Sequence, residues 1–141
     1  MKKDEVPAGK RMGIISFAFL SISFLLCILV QVFFAGLAIF VNPLNWTKHT
    51  VFIHLFEFIP VIMFIIAFIG KLPRWTIGYS ASLFAIIFVM YFTANIAPVV
   101  AWGAALHPVI AFLLFWLTVK NLPRIWKMAF TNKQGEGSVK E

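Results

Sequence analysis

The chain has 141 residues, 62% of them hydrophobic, and a mean hydropathy of +0.95. Soluble domains are roughly 45–50% apolar, and a chain this short buries only part of its surface in a core; a water-soluble globule is excluded and an integral membrane protein indicated. The net charge of +7 does not point to nucleic acid, because the basic residues punctuate apolar runs and no zinc spacing, P-loop or dinucleotide fingerprint accompanies them.

Residues 1–11 (MKKDEVPAGKR) read as a polar cytoplasmic tail. No charged residue occurs from Met12 to Val41. About 20 residues cross the hydrocarbon, so a first span is expected over 13–40. The basic start and Ala35-Gly36-Leu37-Ala38 imitate a signal peptide and its cleavage site. The run is too long for one and three more follow, so it is expected to be retained. Cys27 lies within it as a small hydrophobe, and no disulfide framework exists. Asn42-Pro43-Leu44-Asn45 signals a turn, with Trp46 and Lys48 at the interface. A second span over 51–70 ends at Gly70, and the short linker Lys71-Leu72-Pro73-Arg74-Trp75 implies a tight hairpin into a third span over 76–97. Pro98 disfavours helix in the residue before it. The fourth span, 101–119, is closed by Lys120-Asn121-Leu122-Pro123-Arg124. Residues 127–141 form a second tail, whose end, TNKQGEGSVKE, has a disordered composition.

The expected fold is all-α: an integral membrane four-helix bundle, with a transmembrane domain over 12–126. Four spans place the two tails and the 71–74 linker on one side, which carries 11 of the 12 Lys and Arg residues and leaves Lys48 opposite. The positive-inside rule then puts both termini in the cytoplasm, in the cell membrane. Trp75, Trp126 and Trp46 fit aromatic belts, and Lys71, Arg74, Arg124 and Lys127 act as topology anchors at an anionic leaflet. Two stretches repeat. Lys71-Leu72-Pro73-Arg74-Trp75 matches Asn121-Leu122-Pro123-Arg124-Ile125-Trp126, and Gln31-Val32-Phe33-Phe34-Ala35-Gly36 loosely matches Val89-Met90-Tyr91-Phe92-Thr93-Ala94. The bundle then reads either as two parallel hairpins related by an axis along the membrane normal, or as four spans whose matching stretches reflect chance and shared topology, since Leu-Pro-Arg is a common way to end a helix with charge.

The polar residues of the apolar runs gather in one layer. His54 in the second span and His107 in the fourth lie at similar depth, near-equivalent under the repeat, with Gln31 and Asn95 in the same half. Glu57 is one turn below His54 on the same helical face. A carboxylate at that depth must face the bundle, be neutral, or bind a cation. Its candidate roles are to orient His54, to pair with His107, or to carry a proton; a neutral Glu bonded to a neighbouring helix is the plain alternative. His49, beside Lys48, reads as a solvated interfacial residue or as an entry-side ligand or proton carrier.

Two histidines on different helices at one depth are the minimum for a bis-histidine b-type haem, with His54 and His107 as axial ligands and Glu57, His49 and Gln31 around them. The same His54 and His107, with Glu57 and His49, offer N and O ligands for zinc or iron, although H-E-x-x-H is absent. Simple interhelical hydrogen bonding is the structural alternative. Electron transfer through one haem requires a quinone or a redox partner subunit. Opposed to it stand a small proton-coupled transporter or channel, working as a homodimer, and a non-catalytic accessory subunit. No exposed domain carries a soluble-type active site.

Gln31-x-Phe33-x-Ala35-Gly36, then Trp46-x-x-His49, then a histidine near the start of the fourth span, resemble a family of small, uncharacterised bacterial four-helix membrane proteins. The resemblance covers roughly residues 12–125. It implies the four-span topology, adds His49 to the residues of interest, and implies no activity. The layout also resembles four-helix b-type cytochromes, but with too few intramembrane histidines for two haems.

Overall fold

The computed structural model describes residues 7–130. Residues 1–6 and 131–141, most of the two expected tails, lie outside it. The described chain is all helix, turn and loop: α1 (Ala8–Phe40), a 3-10 turn (Pro43–Asn45), α2 (Trp46–Phe56), α3 (Ile59–Ile69), α4 (Arg74–Asn95), α5 (Ala101–Ala104) and α6 (His107–Phe130). Four segments are long and apolar enough to cross a membrane: Ala8–Phe40, Pro43–Ile69, Arg74–Asn95 and Ala101–Phe130. The protein is a small multi-pass membrane protein whose apolar helices face lipid.

The helices overrun the spans expected from charge because a charged residue ends the hydrocarbon crossing, not the helix. Pro7 stands before α1, and its carbonyl accepts from Arg11 N at 3.1 Å, so residues 8–11 are helical. On the second span, Asn42 Oδ1 accepts from Leu44 N at 2.9 Å and starts the 3-10 turn that leads into Trp46. The largest overrun is at the other end. The helix of the fourth span does not stop with Lys120; α6 runs through Pro123 to Phe130. Pro123 deprives the Val119 carbonyl of its helical donor, yet the following turn is held by tertiary contact. Ile125 is buried, and the Arg124 guanidinium lies 4.2 Å from the Trp75 ring centre. The third span ends two residues earlier than expected, at Asn95, ahead of the turn carrying Pro98.

The second and fourth spans are both interrupted, at Glu57–Phe58 and at Ala105–Leu106. Each break precedes a proline at the second position of the next helix, Pro60 in α3 and Pro108 in α6. That site tolerates proline because its N–H has no helical acceptor anyway.

Around the bundle, α1 packs on α2, α3 and α6, and α4 packs on α3, α5 and α6. The spans therefore sit in ring order, with first opposite third and second opposite fourth. Phe17, Phe24, Met63 and Leu83 are fully buried in the middle. Four buried hydroxyls (Ser21, Thr76, Ser80, Thr118) each donate to a carbonyl three or four residues earlier in the chain, at 2.7–2.9 Å, so they enter the apolar core already satisfied. At the α3–α4 turn, Leu72 N donates to Ala67 O at 3.0 Å and Lys71 N to Phe68 O at 3.3 Å, with Lys71 in the left-handed region at φ 49°. Gly70 and Gly13 let the turn approach α1: a Cβ on Gly13 would stand 3.7 Å from the Gly70 Cα and 3.3 Å from the Leu72 Cδ1.

Candidate functional site

Glu57 is the one carboxylate among the described residues, and it sits at the break between α2 and α3. Counting nine residues from the interfacial Lys48, it lies about 14 Å along the second span. Two groups meet it. His54, one turn earlier, brings Nδ1 to 3.2 Å from Oε1. Tyr91, on α4, donates its hydroxyl to Oε2. The Tyr91 oxygen is also 3.1 Å from His54 Nδ1, and the two rings stack with centroids 6.0 Å apart. The cluster is a closed triangle of three ionisable side chains. Both Glu57 oxygens accept, so the carboxylate is the acceptor of the set.

The α2–α3 break serves this arrangement. Pro60 has no N–H, so the Phe56 carbonyl lacks its helical donor beside the cluster. The triangle opens outward: the Glu57 side chain is 16% exposed and the His54 side chain 62%. Beside Tyr91, a groove of about 410 Å³ runs along α4, lined by Phe88, Phe92, Asn95, Ile96 and Val99.

The other two histidines engage elsewhere. His107 Nδ1 stands 3.1 Å from Met90 O and 3.3 Å from Thr93 Oγ1, both on α4. His49 Nδ1 stands 3.1 Å from Gln31 O on α1, while Gln31 Nε2 donates to His49 O at 2.9 Å. A carbonyl only accepts, so each of these rings carries its proton on Nδ1, and a neutral ring keeps Nε2 as a lone pair.

Of the five site residues expected from sequence, the structure thus joins His54 to Glu57 and His49 to Gln31, and sets His107 against α4. His54 and His107 have no common partner. His54 reaches α4 at Tyr91 and His107 at Thr93; two residues rotate a helix by about 200°, so the rings approach opposite sides of α4. No group of three or more His, Cys, Asp or Glu side chains suited to a metal occurs among the described residues. Asn95 turns back on its own helix, donating to Tyr91 O at 2.8 Å.

Tyr91 and Thr93 are the site residues that sequence reading missed. Their one signal is local. Tyr91 is one of only 2 tyrosines in a chain with 17 phenylalanines, so a hydroxyl at that depth stands out.

A family model described as a family of unknown function (DUF6220) matches residues 31–97. The matched stretch takes in Gln31, His49, His54, Glu57 and Tyr91 and leaves His107 outside. Neither the curated proteins nor the solved structures give a match.

Proposed function

We propose that this membrane protein is a small proton carrier in which His54, Glu57 and Tyr91 take up and release the proton. The observation that carries this reading is the hydrogen-bonded triangle of three ionisable groups at the break in the second span. Ionisable groups inside a span are costly and mark ion or proton pathways. Interrupted helices are where transporters place such sites, because a break frees backbone groups and supplies a hinge. Below the triangle Met63, Ala67 and Leu83 are fully buried, and the buried hydroxyls of Ser80 and Thr118 are already bonded to carbonyls of their own helices. Release to the far side therefore needs movement at the break, which suits a carrier better than an open pore. The cationic end of the bundle, with Lys71, Arg74 and Arg124, faces the cytoplasm in this reading.

The test is proton uptake by proteoliposomes that enclose a pH-sensitive dye, under a potassium diffusion potential set by valinomycin. Wild-type vesicles acidify faster than protein-free ones, and Glu57→Gln returns the rate to background while the protein remains monodisperse. Folded wild-type protein that leaves the vesicles as tight as empty ones overturns the reading.

Electron transfer through a b-type haem stands second, favoured by one observation: His54 and His107 both bond through Nδ1, which leaves Nε2, the atom an iron would take. Because the rings reach α4 from opposite sides, each would ligate alone. A reduced-minus-oxidised spectrum of protein from haem-supplied cells separates the readings. An α band lost in His54→Ala or His107→Ala supports the haem, and colourless folded protein removes it.

A further inference from the structure

The hydrogen bonds of the triangle fix the tautomer of His54. Nδ1 stands 3.2 Å from Glu57 Oε1 and 3.1 Å from the Tyr91 oxygen. The carboxylate only accepts, and the Tyr91 hydrogen is committed to Glu57 Oε2, so both neighbours take a hydrogen from Nδ1. Nε2 of the neutral ring is then a lone pair, and it has no partner among the described residues. The His54 side chain is exposed, yet, six residues beyond Lys48, it lies about 9 Å along the span. Its surroundings there are acyl chains, which have no hydrogen to donate, and an unmet polar group in hydrocarbon is costly. The groove along α4 starts from the same cluster, because Tyr91 lines it and touches His54. Its volume of about 410 Å³ is that of a small-molecule site, and three of its six lining residues are aromatic. A second copy of the chain does not meet the need of Nε2. Copies in one membrane keep every group at its own depth, so His54 would face a second triangle whose hydrogens are already committed. Asn95, the other polar residue of the groove, is one turn nearer the outer face, about 6 Å away along α4. Phospholipid donors lie in the headgroup layer outside the hydrocarbon. The occupant must therefore dissolve in lipid and bring its own hydrogen-bond donor to this depth.

We propose that His54 and the α4 groove bind a quinol, a hydroxylated aromatic ring on a long apolar tail, with one hydroxyl donating to His54 Nε2. Phe88 and Phe92 flank Tyr91 in the groove and give the ring edge and face contacts of the kind aromatic pairs prefer. The tautomer selects the reduced form. A quinol has O–H donors, whereas the oxidised quinone has only carbonyl acceptors, which a lone pair repels. The proposal rests on the triangle that carries the proton-carrier reading, but not on transport by it. A donor at Nε2 would be a proton source on the lipid side of that triangle.

The experiment uses the full chain in phosphatidylcholine nanodiscs, titrated anaerobically with decylubiquinol and separately with decylubiquinone. Binding is the ligand retained beyond that of protein-free discs, and the nitrogen NMR spectrum of isotope-labelled histidine reports which ring nitrogen is met. The expected result is one quinol per chain, with a saturable shift at His54 Nε2 and none at His49 or His107. The quinone binds about 10-fold more weakly, the size of one net hydrogen bond. His54→Phe keeps an aromatic ring without the acceptor and weakens quinol binding by a similar factor, while His54→Gln, which keeps an acceptor, restores most of it. Val99→Trp fills the groove away from the triangle and lowers binding with the histidine spectrum of the free protein unchanged. No binding by the folded wild type, equal binding of quinol and quinone, or indifference to His54→Phe overturns the proposal. So does copy-to-copy crosslinking through Phe92→Cys, which would show the face covered by a second chain. Proton uptake in vesicles without quinol separates the two readings: uptake without quinol binding removes this proposal and leaves the carrier, and binding without uptake does the reverse.

Discussion

The bond between Tyr91 and Glu57 ties the second span to the third, and a double-mutant cycle measures it. Tyr91→Phe removes a hydroxyl that donates to Glu57 Oε2 and lies 3.1 Å from His54 Nδ1. Glu57→Gln removes the charge that this hydroxyl meets. Hydrogen bonds between transmembrane helices average about 0.6 kcal/mol in such cycles and reach about 1.7. A charged acceptor roughly doubles the strength of a hydrogen bond, and the Glu57 side chain is only 16% exposed. The coupling should therefore lie near the upper limit, about 1.5 kcal/mol, with the double variant less destabilised than the sum of the singles. The assay is reversible unfolding in mixed micelles with increasing dodecyl sulfate, followed by far-ultraviolet circular dichroism. A coupling below about 0.3 kcal/mol, within the error of additivity, would show that the triangle is not formed and would remove the basis of the proton site.

The remaining predictions use the same unfolding assay. Gly70→Ala places a Cβ 2.6 Å from Leu72 Cδ1 and 2.8 Å from Ile66 O, so it costs about 1–3 kcal/mol as overpacking. Gly36→Ala, where a Cβ meets nothing within 4 Å, gains up to about 1 kcal/mol of helix propensity; equal effects at the two sites would refute the tight packing of Leu72 and the Ile66 carbonyl around Gly70. Tyr79 is buried with its hydroxyl unpartnered, and Thr118 is the group it would turn to. Tyr79→Phe should therefore raise stability by about 1 kcal/mol, and a loss of that size would mean that the hydroxyl has a partner.

The span count and the all-helical class were legible because lipid allows only one reading of four long apolar runs separated by charge or proline. The helix ends were not, because charge reports where hydrocarbon stops and not where hydrogen bonding stops. Lys10, Arg11, Arg124 and Lys127 are all helical. Pro123 misled for a related reason: the cost of one missing donor is local, while the Arg124–Trp75 stack and the burial of Ile125 act from other parts of the bundle. In the site, the His54–Glu57 pairing followed from a three-residue spacing on one helix. The pairing of His107 did not, since it depends on how α6 is rotated against α4, and apolar runs with no polar face carry no rotational signal.

That rotation also explains how two kinds of polar site coexist in one repeated frame. At the 58-residue register that sets Gln31 on Val89, His49 corresponds to His107, and each ring meets a backbone carbonyl of the preceding long helix, Gln31 O and Met90 O, one position apart in that register. The triangle has no such mate. His54 and Glu57 correspond to Phe112 and Phe115, and Tyr91 corresponds to Phe33. One seam between hairpins, α2 and α3 against α4, is thus polar, while its counterpart, α6 against α1, carries phenylalanine at all three positions. A group needed only to join helices would serve either seam equally well. A carboxylate kept in one seam and replaced by an aromatic ring in the other is a departure from the repeat at the most costly position for charge. The structural requirement is met in the second seam without it, so the triangle is better explained by what it binds or transfers than by packing. Glu57→Phe with His54→Phe and Tyr91→Phe, which writes the second seam into the first, should accordingly give a protein that is folded and inserted but inactive in proton uptake.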